Sequence, residues 1–205
     1  KKYLVIGNPI EHSLSPKLHN YWLKKNNINA VYEKKKIETS EIKNIILNIK
    51  EKKIDGVNVT VPYKKEVISH LDKLSPEAKF TQSVNTICLE NDEIVGHNTD
   101  IDGFKFAIEN KNFDLENKKI LILGAGGVVP SLIFALNKMK ASDISVSNRT
   151  KKKAENLKNL FQYIKIIDWG DIPKFDMIIN ATSIGLNDND DLNLDFSRVE
   201  KDKLF

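Results

Sequence analysis

Two groups of residues in this sequence are of the right types and spacing to do chemistry. The first is Gly124-Ala125-Gly126-Gly127-Val128, which follows the apolar run at 119–123 and precedes apolar positions 129, 132, 133 and 136. A glycine-rich turn between a buried strand and a helix lets backbone N–H groups approach a pyrophosphate, where the helix dipole favours negative charge. Alone such a turn is only a tight turn; its flanks make dinucleotide binding the expectation. The position that wants Gly or Ala for close helix–strand packing holds Val129 instead. At the end of the next strand, where Asp or Glu would hold a ribose 2′-hydroxyl, stand Asn148, Arg149 and Thr150, followed by Lys151, Lys152 and Lys153. An arginine fork suits a 2′-phosphate, with the Thr150 hydroxyl and Lys153 as further donors. The alternative is a helix cap with a solvated basic first turn, but lysines at a helix N-terminus oppose its dipole unless an anion lies nearby. NADP is therefore the expected cofactor, held by residues 124–128, 148–150 and 153.

The second group is a set of short polar segments placed where strands end or helices begin. They are His12-Ser13-Leu14-Ser15-Pro16, Asn58-Val59-Thr60-Val61-Pro62-Tyr63-Lys64, Val84-Asn85-Thr86 and Gly96-His97-Asn98-Thr99-Asp100. Each has a local reading: Ser15 caps a helix, Asn58 and Thr60 decorate a strand, and Asn98 and Asp100 cap the helix that follows. The histidines, His12, His19, His70 and His97, lack metal-ligand spacing, so no metal is expected. Cys88 reads as a small apolar strand residue.

The elements that must position these residues alternate between strand and helix, the pattern of an α/β fold. Strands are expected at 3–7, 30–36 and 56–61, and a hairpin at 85–89 and 93–97 turning on Asn91-Asp92. A helix opening at Ser15-Pro16 carries Leu14, Leu18, Tyr21 and Trp22 on one face. A second, over 40–52, carries Ile42, Ile45, Ile46 and Ile49. A shorter helix is expected at 63–71. In the second half, a helix through Phe104 and Ile108 leads to strands at 119–123, 144–147, 164–167 and 177–180, with helices to about 140 and over 151–160. Two lobes follow: a substrate-binding catalytic domain at 1–101 and a Rossmann-type domain at 102–205.

No apolar run approaches the roughly 20 residues that span a bilayer, and the single cysteine fits a reducing cytoplasm. The net charge of +4 is spread as mixed Lys, Glu and Asp, so neither nucleic acid nor membrane is an expected partner. Only two of the 32 basic residues, Arg149 and Arg198, are arginine.

Taken together, the S-x-S-P, N-V-T-x-P-x-K, V-N-T and N-T-D-x-x-G segments, with G-A-G-G, N-R-T and the N-A-T-S-x-G of 180–185, occur here in order. In this the chain resembles the shikimate dehydrogenase family along essentially its whole length. The resemblance implies NADPH-dependent interconversion of 3-dehydroshikimate and shikimate in chorismate and aromatic amino-acid biosynthesis. It implies that Ser13 and Ser15 hold the substrate carboxylate, that Asn58, Thr60, Asn85 and Asp100 bind ring hydroxyls, and that Lys64 transfers the proton with Asp100 orienting it. Thr182 would lie near the nicotinamide. A quinate/shikimate enzyme using NAD, a folate one-carbon enzyme and a non-catalytic metabolite-binding relative are the alternatives, and a homodimer is compatible. Family members continue past the segment matching 192–205. The expectation is thus a C-terminally incomplete Rossmann domain of about four strands with an unpaired edge, nearly inactive in isolation.

Overall fold

In the computed structural model, which describes residues 1–185, 190–197, 199 and 203–204, residues Lys2–Gly7 form β1, whose alternate side chains enter two apolar clusters. Leu4 and Ile6 point into one core, while Val5 joins Ile10 and Tyr32 on the other face. Arg198 lies outside the described residues. By contact the chain divides into two units, Lys1–Thr99 and Asp100–Phe205.

The first unit is a six-stranded mixed sheet in the order β2-β1-β3-β5-β6-β4, with β2 at Val31–Lys36, β3 at Gly56–Val59, β4 at Lys73–Leu74, β5 at Thr86–Glu90 and β6 at Glu93–His97. β1 pairs parallel with β2 and β3, whereas β5 runs antiparallel to β3 and to β6. The β5–β6 hairpin turns at Asn91 and Asp92, both at positive φ (49° and 65°), the backbone a two-residue primed turn requires. Helix α2 (Ile42–Lys50) buries the predicted face, Ile42, Ile45, Ile46 and Ile49, against the sheet. The segment before it winds as a short 3₁₀ turn, Thr39–Glu41.

Three local expectations need correction. The helix predicted over 63–71 is only a 3₁₀ turn, Glu66–His70, because the chain is held on both sides: the Tyr63 hydroxyl donates to the Ile37 carbonyl at 2.6 Å and Val67 is sunk in the core. The Ser-Pro signal caps α3 (Pro76–Thr81), where Ser75 Oγ accepts from the Ala78 amide at 3.2 Å. It does not cap α1 (Ser15–Lys25), whose N-cap is Leu14 without a side-chain bond. The apolar stripe on α1 is not core either: Leu14, Leu18, Tyr21 and Trp22 stay 75, 47, 60 and 47% exposed. That helix is instead attached through His19, stacked on the Tyr32 ring at 4.2 Å, and through Asn20, whose amide bonds the Tyr32 backbone in both directions.

The second unit is a four-stranded parallel sheet in the order β10-β7-β8-β9, formed by Met177–Asn180, Lys119–Leu123, Asp143–Ser147 and Lys165–Ile167. β7 is buried on both faces, as its unbroken apolar run demands: Ile120 and Ile122 join one cluster, Leu121 and Leu123 the other. Helices α4 (Asp100–Glu109), α5 (Val129–Lys138) and α6 (Lys151–Leu157) contribute Ile108, Leu132, Ile133, Leu136, Ala154 and Leu157 to the first of these cores. Leu204 forms a parallel bridge to Met177, so the edge of β10 expected to be unpaired is partly covered. No helix among the described residues is long and apolar enough to cross a membrane.

If α2 stands on its isoleucine face, Ile45→Ala should lower stability to denaturant by about 2–5 kcal/mol. Leu47→Ala on the solvent side should stay within about 0.5 kcal/mol of the parent chain. Equal losses in urea titrations of the two variants would contradict this packing.

Candidate active site

The cofactor-type turn grows directly out of β7. Gly124 has φ +112°, and a Cβ there would stand 2.6 Å from the Ala181 carbonyl oxygen. Only glycine lets the loop after β10 close over this turn. Val129 is the first residue of α5 and is fully buried, so the helix–sheet contact that usually takes Gly or Ala is here filled by a branched side chain. The N-terminus of α5 has no side-chain cap and no acidic residue in its first turn, which suits an anion.

At the end of β8, Asn148 Nδ2 donates to the Thr150 carbonyl at 2.8 Å and shapes the turn into α6. The three lysines that follow do not form one anion site. Lys151 pairs with Asp168 at 2.6 Å, a bond that raises its pKa, and Lys152 lies 3.9 Å from Glu155. Part of the dipole misfit read from sequence is thus repaired within the chain. Among the described residues, Arg149 and Lys153 are left with no ion-pair partner. Arg149 is exposed at the tip of the turn.

Thr182 is tied into its own loop: its amide and hydroxyl both donate to Asn180 Oδ1, at 3.0 and 2.7 Å, and its Oγ1 accepts from the Ile184 amide. Asn180 Nδ2 closes the loop on the Ile184 carbonyl at 3.0 Å. The residue therefore shapes the segment that packs on Gly124.

In the first unit, the ends of β1, β3 and β6 and the start of β5 share one edge of the sheet, and four of the predicted polar residues gather there. The Asn85 carbonyl accepts from the Val59 amide at 2.9 Å and from Asn58 Nδ2 at 3.2 Å. The Asn85 amide donates to the His97 carbonyl at 3.0 Å, and its Oδ1 accepts from the Thr99 amide at 2.9 Å. Thr60 fits because residue 7 is glycine: a Cβ on Gly7 would meet Thr60 Cγ2 at 2.5 Å. Lys64 is half-buried; its carbonyl accepts from the Val84 amide at 2.8 Å, which joins the lysine segment to Asn85.

Two residues that sequence reasoning missed complete the cluster. The Tyr32 hydroxyl donates to Asn58 Oδ1 at 2.6 Å, and burial pushes its pKa up to about 12. Asn58 Nδ2 also donates to Thr86 Oγ1 at 3.0 Å. Both amide hydrogens of Asn58 are thereby used, and the carboxamide turns an oxygen lone pair outward, an acceptor for a hydroxyl. Thr86 stood in a motif already noticed; Tyr32 carried no local signal.

Ser13, Ser15, Asn98 and Asp100 stand on other elements. Ser13 and Ser15 are half-buried at the turn before α1, with the Ser15 amide 3.4 Å from Ser13 Oγ. No hydrogen bond links them to Asn58 or Thr60 among the described residues. Asn98 is buried and donates to Thr81 Oγ1 at 3.0 Å, while Asp100 is the first residue of α4.

Comparison with known proteins places both halves. The family model described as the shikimate dehydrogenase substrate binding domain matches residues 5–87, and the shikimate/quinate 5-dehydrogenase model matches residues 107–186. The chain is 56% identical over 205 residues to the shikimate dehydrogenase (NADP(+)) of Pelagibacter ubique, covering all of this chain and 77% of that protein. A solved shikimate dehydrogenase from Aquifex aeolicus superposes with a TM-score of 0.91 at 37% identity, over 100% of this chain and 77% of that one. A Thermus thermophilus shikimate 5-dehydrogenase, solved with NADP(H) and shikimate, does so with a TM-score of 0.82 at 31% identity, covering 90% and 69%.

Close packing of Ala181 on the glycine turn makes a graded expectation. Gly124→Ala forces a left-handed backbone and a carbonyl clash and should cost at least about 1–3 kcal/mol. Gly126→Ala, whose Cβ would lie 4.0 Å from the same oxygen, should melt close to the parent chain. Equal melting temperatures for the two variants would remove the packing argument.

Proposed function

The chain belongs to the shikimate dehydrogenase family, and we infer from this that it interconverts 3-dehydroshikimate and shikimate reversibly, with NADP as its cofactor. It is an oxidoreductase acting on a CH–OH group, a step of aromatic biosynthesis. The observation that carries the residue assignment is the pinned polar edge of the first sheet, where Asn58, Asn85 and Thr86 are bonded together and joined through Val84 to Lys64.

On this reading Asn58 accepts from a ring hydroxyl through the oxygen already oriented by Tyr32. Thr60, Asn85 and Asp100 engage the remaining ring hydroxyls, and Ser13 and Ser15 donate to the carboxylate. Lys64 takes the hydroxyl proton as the alcohol becomes a ketone, and its ammonium returns a proton to the carbonyl oxygen in reduction. Asp100 orients Lys64 and a substrate hydroxyl. The dinucleotide, when bound, supplies the two-electron acceptor or donor.

The residues of the second unit fit that cofactor. The glycine turn and the uncapped start of α5 would take the pyrophosphate through Gly124, Ala125, Gly126, Gly127 and Val128. Arg149 and Lys153, with Asn148 and Thr150 shaping the turn, would take the 2′-phosphate. Thr182 would hold the loop beside the nicotinamide end. The single cysteine supports a cytoplasmic setting.

The assay is NADPH absorbance with shikimate and NADP. Lys64→Ala should reduce turnover by about 10²–10⁴ with a smaller change in shikimate KM; near-normal turnover would move the proton-transfer role to Asp100. A charge-assisted hydrogen bond contributes about 1.5–3 kcal/mol, so Arg149→Ala should weaken NADP roughly ten- to a hundredfold and leave NAD nearly unchanged. Equal losses for both dinucleotides would make Arg149 structural.

A further inference from the structure

The β5–β6 hairpin has two chemically different faces. Ile87 and Ile94 turn into the core, while Thr86, Cys88 and Glu90 alternate onto the opposite face. The register Thr86↔His97 and Cys88↔Val95 brings the His97 side chain to that same face. There Glu90 Oε1 lies 3.2 Å from Cys88 Sγ and 2.8 Å from His97 Nε2. One sulfur, one ring nitrogen and one carboxylate oxygen all lie within 4.8 Å of one another. Cys88 and His97 are half-buried and Glu90 is exposed, so the cluster has a strand-built floor and an open side.

We propose that Cys88, Glu90 and His97 form a three-ligand site for a borderline-soft divalent cation of the zinc class, with water as the fourth ligand. Tetrahedral zinc holds imidazole nitrogen and carboxylate oxygen at about 2.0–2.2 Å and thiolate at about 2.3 Å, which sets the ligand atoms roughly 3.2–3.6 Å apart. Glu90 already stands at about those separations from Cys88 and His97, and all three ligand atoms lie within 4.8 Å of one another, so binding needs rotations about side-chain bonds and leaves the strand ladder intact. The donor set selects the metal class: magnesium and calcium favour oxygen cages, whereas mixed thiolate, imidazole and carboxylate suit zinc and its neighbours. Charge balances as well, because a thiolate and a carboxylate neutralise the dication. The Cys88 S–H bond breaks as the S–metal bond forms, and its proton passes to solvent. Sequence spacing conceals the set, since two ligands are neighbours on one strand and the third comes from the other strand across the turn. The ion would staple β5 to β6 through His97, whose ladder partner Thr86 lies two positions from Cys88.

Cys88 is the only cysteine in the chain, which makes the spectroscopic test specific. Tag-free, metal-stripped protein is titrated with Co(II), then with Zn(II) in competition. One equivalent of cobalt should bind with a thiolate-to-metal charge-transfer band that zinc abolishes, and Cys88→Ser should lack the band. Glu90→Gln and His97→Ala should each raise the zinc Kd at least about tenfold, the lower bound for losing even an outer partner of a metal site. Circular dichroism melts establish that each variant is folded. The proposal is overturned if the parent protein shows no such band. It is equally overturned if folded Glu90→Gln and His97→Ala both bind with unchanged Kd, because the thiol would then be taking the metal alone.

Discussion

Asn85 is the residue on which the polar edge of the first unit depends. It sits just before β5, where three strands converge, and every polar group it owns is engaged. Its carbonyl takes the Val59 amide and the Asn58 side chain, its own amide goes to His97, and its Oδ1 receives the Thr99 amide. A buried or half-buried amide left without partners would cost about 1–3 kcal/mol, so this saturation holds the ends of β3 and β6 in one arrangement. A side chain of the same size without the second hydrogen-bonding group could satisfy one neighbour and not the others.

From that anchor the chemistry of the edge follows in steps. Because Asn58 spends both amide hydrogens on Asn85 and Thr86, and because Tyr32 donates to its oxygen, the carboxamide has one orientation. Tyr32 is in turn held by the stacked His19 ring and by Asn20. An aromatic stack and a paired amide thus do for α1 what an apolar stripe does for α2. Lys64 is reached by a different route, through the Val84 amide and through Tyr63, whose hydroxyl is buried on the Ile37 carbonyl. The lysine therefore projects from a backbone fixed on both sides.

The second unit solves a different problem with the same economy of backbone. Position 124 must be free of a side chain so that another loop can lie over it, because a Cβ there would stand 2.6 Å from the Ala181 carbonyl oxygen. The loop that closes on it is self-contained, with Asn180 and Thr182 bonding each other and Ile184. The basic turn after β8 is sorted by neighbours: Asp168 and Glu155 take Lys151 and Lys152, while Arg149 and Lys153 have no ion-pair partner among the described residues. In the sequence the lysines 151–153 form one unbroken basic run, whereas the fold pairs two of them with acidic neighbours and leaves Lys153 outside those pairs.

What the sequence by itself determined is the set of elements whose cause is local. The unbroken apolar run of β7 could be only a strand buried on both faces, the glycines after it only a turn, and the period of Ile42, Ile45, Ile46 and Ile49 only a one-sided helix. The Asn91-Asp92 turn set the hairpin, and the motif residues Asn58, Thr60, Lys64 and Asn85 stood out in order along the chain. Tertiary structure alone decided who meets whom. Tyr32 reaches Asn58 across 26 positions, Lys151 reaches Asp168 across 17, and His97 joins Cys88 and Glu90 only because the hairpin register puts it there. It also decided that the stripe on α1 would stay exposed although its spacing equals that of a buried face. A period in the sequence states which side chains share a face; what covers that face depends on strand register and on partners far along the chain, and those are fixed only when the sheet closes.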